Sequence, residues 1–240
     1  PVDYHSEAFT LESMIKVDKQ LRCKRCYSQI EEDWQLPEGQ YYCRACIVFG
    51  RNQEGKELYY FPSKTSEIEF PVLKWLGELT PYQAEVSEKL LETYQKQKDS
   101  LVHAVTGAGK TEMIYKIVAY VLGNKGRVAI ASPRVDVCRE LFLRMQRDFT
   151  CSISLLHAES EPYDGSPLVI ATTHQLLKFY QNFDLVIVDE VDAFPFVGNV
   201  MLNHAVEQAK KETGRYIYLT ATSTISLEEQ VRLGTLEKHH

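Results

Sequence analysis

From about residue 100 onward, apolar residues gather into short runs rich in Val, Ile and Leu, separated by stretches with helical spacing. Leu101 to Val105, Arg127 to Ser132, Ile153 to Leu156, Leu168 to Ala171, Leu185 to Val188 and Tyr216 to Leu219 each predict a short buried strand. Between the first two, the pairs Met113/Ile114, Ile117/Val118 and Val121/Leu122 suit one buried face of a helix that opens at Lys110. A second such face begins at Val135 and takes in Val137, Leu141 and Phe142, and Thr172 to Leu177 starts a further helix capped by Thr172 or Thr173. Upstream, Thr80 is a good N-cap and Pro81 a good first residue for a helix over 81–97. Leu227 to Leu236 predicts one helix and a turn. Buried strands alternating with helices predict an α/β fold, a mainly parallel sheet with helices on both faces.

The first 80 residues are patterned differently. Phe9, Leu11, Met14 and Ile15 fit either a short helix or an extended arm. Arg51 to Gly55 reads as a turn, and Leu58 to Phe61 as a strand cut short by Pro62. The expected division is an N-terminal arm and cysteine module over 1–57, a connector over 58–78 and an α/β lobe over 79–240.

Cysteine spacing defines that module. Cys23-x2-Cys26 and Cys43-x2-Cys46 form two paired knuckles whose four thiolates close a tetrahedron, which predicts a structural Zn²⁺ with no open coordination position. Two disulfides are the rival reading, disfavoured in a cytosolic chain. Cys138 and Cys151 sit in apolar contexts and read as core residues. No apolar run approaches the length of a membrane span and the start lacks a signal-peptide core, so a cytoplasmic protein is expected.

Net charge is −6, so any contact with nucleic acid must come from local clusters. Five cations lie between residues 16 and 25 against one acid, Asp18. Lys24, Arg25 and Arg44, close in sequence to Tyr27, Trp34, Tyr41 and Tyr42, suit a single strand with phosphates on charges and bases on rings. The plainer reading is that a small module uses its aromatics to build a core, and Glu31, Glu32 and Asp33 in the same hairpin oppose phosphate.

Two stretches carry chemistry. Thr106-Gly107-Ala108-Gly109-Lys110-Thr111 follows a strand and opens a helix, which resembles a P-loop whose backbone N–H groups cradle phosphates. Lys110 would reach the β- and γ-phosphates of ATP, and the Thr111 hydroxyl would hold Mg²⁺. Asp189 and Glu190 emerge from a buried strand. Asp189 would hold Mg²⁺ through water, and Glu190 would orient and deprotonate the attacking water. The plainer readings are a Gly-rich turn and a strand ending in solvated acids.

One departure from the P-loop pattern is informative. Ala104 stands where the strict pattern has Gly, a form used by superfamily 2 helicases. Ala104 to Thr111, Ser132-Pro133-Arg134, Thr172-Thr173-His174-Gln175, Asp189-Glu190-Val191-Asp192 and Thr220-Ala221-Thr222 look like motifs I, Ia, Ib, II and III of that superfamily. Ala171 to Tyr180 and Asp189 to Pro195, behind a four-Cys module, resemble the ComFA family of late-competence DNA-uptake translocases.

That resemblance implies a RecA-like lobe in an ATPase stimulated by single-stranded DNA. It implies adenine recognition by Gln83, a backbone grip by Arg134, Thr172 and Thr173, and coupling through Asp192, Thr220 and Thr222. It also implies two kinds of partner, a companion phosphoribosyltransferase-like competence protein and the DNA-uptake machinery at the inner face of the membrane. Few residues follow Thr222 in a chain of 240, so the second lobe with its arginine finger is expected to be missing and activity to be low. Two alternatives are a replication-restart helicase, whose motif II usually reads Asp-Glu-Glu-His, and a non-enzymatic zinc-dependent DNA-binding or scaffold module.

Overall fold

The computed structural model describes residues 8–62, 68–103, 109–190, 198–222 and 225–239. Its N-terminal part is built from three small antiparallel pairs. Strand β1 (Phe9–Glu12) pairs with β6 (Glu57–Tyr60), β2 (Met14–Val17) with β3 (Gln20–Cys23), and β4 (Tyr42–Cys43) with β5 (Asn52–Gln53). The extended reading of Phe9 to Ile15 therefore holds. Asp18 and Lys19, with φ of 48° and 67°, make the two-residue turn between β2 and β3, a backbone sense that follows strand twist. Because β6 pairs with β1, the first residues assigned to the connector belong to the arm by pairing.

Seven parallel strands form the large sheet: β7 (Asp99–His103), β8 (Val128–Ser132), β9 (Ile153–Leu156), β10 (Leu168–Thr172), β11 (Phe183–Asp189), β12 (Lys210–Thr220) and β13 (Leu236–His239). Their order is β13-β7-β12-β11-β8-β10-β9. Strand periodicity of two divides each apolar run between two cores. Val128 and Ile130 join one core with Leu168, Ile170, Leu185 and Ile187; Ala129 and Ala131 join the other with Val169, Ala171, Val186 and Val188.

Helices α1 (Pro81–Gln95), α2 (Lys110–Met113), α3 (Tyr115–Gly123) and α4 (Val135–Asp148) cover the first face. All six residues of the pairs from Met113 to Leu122 are at most 2 % exposed, as the spacing demands. The helix breaks once, at Ile114, between α2 and α3. The second face takes a 3₁₀ turn (Thr173–Lys178), α5 (Val200–Ala209) and α6 (Ile225–Arg232), and the four knuckle cysteines fall in the same core. The expected helix at Thr172 is thus a 3₁₀ turn, and Thr172 occupies the cap position without a side-chain cap bond. After α6 the chain forms β13, so the turn expected before Leu236 leads into an edge strand. There His239 is buried, its Nε2 3.4 Å from Ser100 Oγ.

The connector is held against the end of α4. Lys74 N donates to Asp148 O at 2.8 Å, Thr150 N to Val72 O at 3.0 Å, and Trp75 meets the edge of Tyr115. Buried Asp148 is the polar centre of this junction. It accepts from Arg147 at 2.7 and 2.8 Å and from the Tyr115 hydroxyl at 2.7 Å, and the Arg147 bond, with help from Tyr115, holds its carboxyl below the usual aspartate range despite burial. A depressed carboxyl stabilises the fold above its unfolded value and loses that contribution as pH falls through its folded value. Asp148→Asn should lower stability at pH 7 by about 1.5–3 kcal/mol, the scale of hydrogen bonds to a charged group. In urea titrations at successive pH values the deficit should shrink on acidification, and a pH-independent deficit would contradict this role.

Candidate functional site

Since both faces of the sheet are covered, the strands' carboxyl ends are where polar groups can emerge. β7 leads toward Gly109 and Lys110, β11 ends at Asp189, β8 at Ser132, β10 at Thr172 and β12 at Thr220. Parallel register aligns these ends on one edge: Thr172 lies opposite Ser132, and Asp189 opposite Leu219. This is the edge at which open parallel sheets bind ligands.

A cleft of about 370 Å³ at that edge brings Gly109, Lys110 and Thr111 to Asp189. Gly109 caps α2 in the left-handed region (φ 69°), and a Cβ there would strike the Gln83 side-chain nitrogen. Gln83 therefore reaches Gly109, at the start of α2, from α1. Its Oε1 accepts from Thr80 N at 2.9 Å while its own N–H donates to Thr80 Oγ1 at 3.3 Å, a reciprocal cap. Thr106, Gly107 and Ala108, with Ala104 and Asp192, lie outside the described residues.

Glu190 follows Asp189 with φ 55°, a conformation costly for a residue with a side chain and typical of functional positions. Its N–H donates to Asp189 Oδ1 at 2.9 Å. The carboxylate is half-buried: Oε1 lies 3.6 Å from Arg134 Nη1, and Oε2 is buried with no partner among the described residues. Burial first, and then the charge of Asp189, push the Glu190 carboxyl up, while Arg134 and Lys110 oppose the shift. A raised, partly desolvated carboxyl suits a general base. Paired with Asp189 beside Lys110 and Thr111, this donor set fits a nucleotide phosphate with Mg²⁺, carboxylate and hydroxyl oxygens being the ligands that ion prefers.

Other edge residues divide. Arg134 is exposed and pairs with Asp136 at 2.5 Å, and Thr172 is half-exposed. Thr173 is 1 % exposed, so its hydroxyl offers no surface to a phosphate, against the expected grip. Thr220 Oγ1 accepts from Thr222 N at 3.1 Å, closing a small turn at the end of β12.

At the second core, the four cysteine sulfurs come together fully buried, all within 4.8 Å of one another. Cys23–Cys46, Cys26–Cys43 and Cys43–Cys46 are 3.7, 3.5 and 3.6 Å apart. A tetrahedron with zinc–sulfur bonds of about 2.3 Å has edges of about 3.8 Å, whereas a disulfide needs about 2.05 Å. The cluster fits a zinc ion and is not disulfide-bonded.

Residues 80–230 match the DEAD/DEAH box helicase family. The chain belongs to that family. It is 59 % identical over 231 residues to competence protein ComFA of Streptococcus pneumoniae, covering 95 % of this chain and 52 % of that protein. It is 35 % identical over 245 residues to ComFA of Bacillus subtilis, covering 96 % of this chain and 53 % of that protein. The resemblance drawn from the motifs agrees with these relatives, and the chain spans about half their length. Among solved structures, the helicase domain of Hef from Pyrococcus furiosus matches with a TM-score of 0.51 at 22 % identity, over 66 % of this chain and 37 % of that one, a likeness of fold.

Within this helicase lobe, sequence patterns missed the cleft's other walls. Glu112, Val137, Glu140, Leu141 and Arg144 line it, with Arg144 bridging Glu112 at 3.4 Å and Glu140 at 2.7 Å. The spacing of Glu140 and Arg144 gives the second bridge, but no sequence signal links α4 to Glu112. Sequence reading also missed the seating of the cysteine module on the lobe. Tyr27 stacks on His204 (5.1 Å between centroids), His204 Nε2 lies 3.2 Å from Lys24 O, and the Phe49 ring meets His174 at 4.9 Å. Burial lowers the pKa of both histidines, which favours neutral imidazoles in the joint.

Arg25 corrects an expectation. It is 8 % exposed and turned into the cysteine cluster, so it is not available to a DNA backbone. Trp34 and Tyr41 pack on the core, and Arg44 is bound to Asp33 at 3.2 Å. Lys24 stays half-exposed. Removing Arg134 deletes a cation that holds the Glu190 carboxyl down. By carbon-detected NMR titration, Glu190 should titrate above the ordinary glutamate value, and Arg134→Ala should move it higher still; a Glu190 at the ordinary value in the parent would contradict the geometry.

Proposed function

We propose that this chain is the ATP-binding first lobe and zinc module of a motor that moves single-stranded DNA during competence. The observation that carries the reading is the cleft where Lys110 and Thr111 meet Asp189, with Glu190 beside it and Arg134 and Thr172 on the same edge. Lys110 would bind the β- and γ-phosphates, and Thr111 and Asp189 would hold a Mg²⁺ whose chemistry is to offset charge on the phosphoryl group. Glu190 accepts the proton of the attacking water through Oε2, which has no partner among the described residues. Gln83 reads adenine. Arg134 and Thr172 contact the phosphodiester backbone, and Thr220, Thr222 and Asp192 couple hydrolysis to movement. The ComFA relatives support the competence setting; a phosphoribosyltransferase-like companion and the uptake machinery at the inner membrane face are the proposed partners. No helix among the described residues is long and apolar enough to cross a membrane.

The zinc ion acts structurally. Four protein sulfurs would complete its coordination and leave no position for a substrate. The non-enzymatic alternative leaves the paired acids at the end of β11 without a purpose, and the motor reading is preferred for that reason.

In the full-length protein, Lys110→Ala should reduce single-strand-stimulated ATP hydrolysis by at least about 10²-fold, the scale of losing one electrostatic contact to the reacting group. Turnover unaltered by Lys110→Ala would sink the assignment. Because the chain spans about half the length of its ComFA relatives, it should hydrolyse ATP slowly on its own, about 10³-fold or more below a protein of the relatives' full length, the scale of an arginine finger supplied from outside the cleft. Equal rates would show that the cleft is complete without the remaining sequence.

Metal analysis should find one zinc per chain. Strong chelator should abolish the near-ultraviolet signature of the module's aromatics, and a fold that persists without metal would rule out the structural role.

A further inference from the structure

A guanidinium buried away from water needs an opposite charge. Arg25 has no carboxylate within ion-pair distance among the described residues, yet it is 8 % exposed. Its donors go elsewhere. Nε and Nη2 lie 3.2 and 3.1 Å from Cys46 Sγ; Nη2 also donates to Cys46 O at 2.9 Å and Gly50 O at 2.6 Å, and Nη1 to Phe49 O at 2.9 Å. Two of its N–H groups therefore converge on a single sulfur. A second sulfur, Cys23 Sγ, accepts from Asn52 Nδ2 at 3.1 Å, and Asn52 is itself 2 % exposed.

Four thiolates around a divalent ion carry a net charge of −2. In a core this is unfavourable unless cations or N–H dipoles face the sulfurs. We propose that Arg25 is the built-in counter-ion and positioning residue of the metal–thiolate cluster. It halves the cluster's net charge and fixes Cys46 as a ligand through a paired hydrogen bond. The two needs answer each other: the thiolates supply the charge that Arg25 lacks, and Arg25 supplies the charge that the metal leaves over. This rests on the reading of the cluster as a metal site, and failure of that reading would appear separately, as a parent protein without zinc.

The test uses the whole 240-residue chain with Arg25→Met, Arg25→Lys and, as a control, Arg44→Met, whose parent residue is exposed and bound to Asp33. Zinc affinity is measured by chelator competition, and cobalt(II) replaces zinc to record the sulfur-to-metal charge-transfer band. Arg25→Met should weaken zinc binding by about 10- to 100-fold, the range for outer-shell partners. Arg25→Lys, which keeps charge but loses the planar fork, should lose less and move the cobalt band to lower energy, because an unbonded thiolate gives up charge more readily. Arg44→Met should match the parent in both. If Arg25→Met fails to fold, the Lys variant decides. Parent-like zinc affinity together with an unmoved cobalt band in the Arg25 variants would overturn the proposal.

Discussion

A strand covered on both faces can place a polar side chain only at its ends. This constraint orders the molecule. Val128 to Ala131 and Leu185 to Val188 are buried on alternating sides, so Asp189, Glu190, Arg134 and Thr172 can emerge only past the last apolar residue of each strand. Parallel pairing then sets all those ends on one edge, and residues far apart in sequence become neighbours without any long connection.

The same constraint explains what was legible in the sequence. Unbroken apolar runs located β8, β9, β10 and β11 to within two residues, because two-sided burial leaves no alternation to misread. By contrast, β12 begins at Lys210, six residues ahead of the apolar run from Tyr216, in a polar stretch that pairs with β11 across a register shift. Short pairings were harder. Leu236–His239 carries three polar residues out of four, and it is held as an edge strand by β7 and by the Lys238–Glu228 pair, neither visible locally. Knuckle spacing announced the four-cysteine cluster, but nothing in it told an outward cation from an inward one. Lys24 and Arg25 are adjacent, and only the geometry of the knuckle decides which faces the sulfurs. The proximity of Phe49 to His174 and of Tyr27 to His204 was equally hidden, since each joins residues more than a hundred positions apart.

The cysteine module sits on the second face of the sheet. Where the first core is lined by Val128, Ile130 and Ile170, the second has Ala129, Ala131 and Ala171. The module rests on the 3₁₀ turn and α5 of that face through His174 and His204. The turn it touches begins one residue after Thr172, which lies on the proposed DNA-facing edge.

The reciprocal cap at the start of α1 has a further consequence. A free glutamine side chain samples many rotamers, and freezing it on binding costs about 0.5–1.5 kcal/mol. Gln83 is already held by Thr80 and set against Gly109. On the proposed reading of Gln83, the ordering cost of base recognition is met when the helix folds, not when the nucleotide arrives, and selectivity for the base is inherited from the stability of one helical turn.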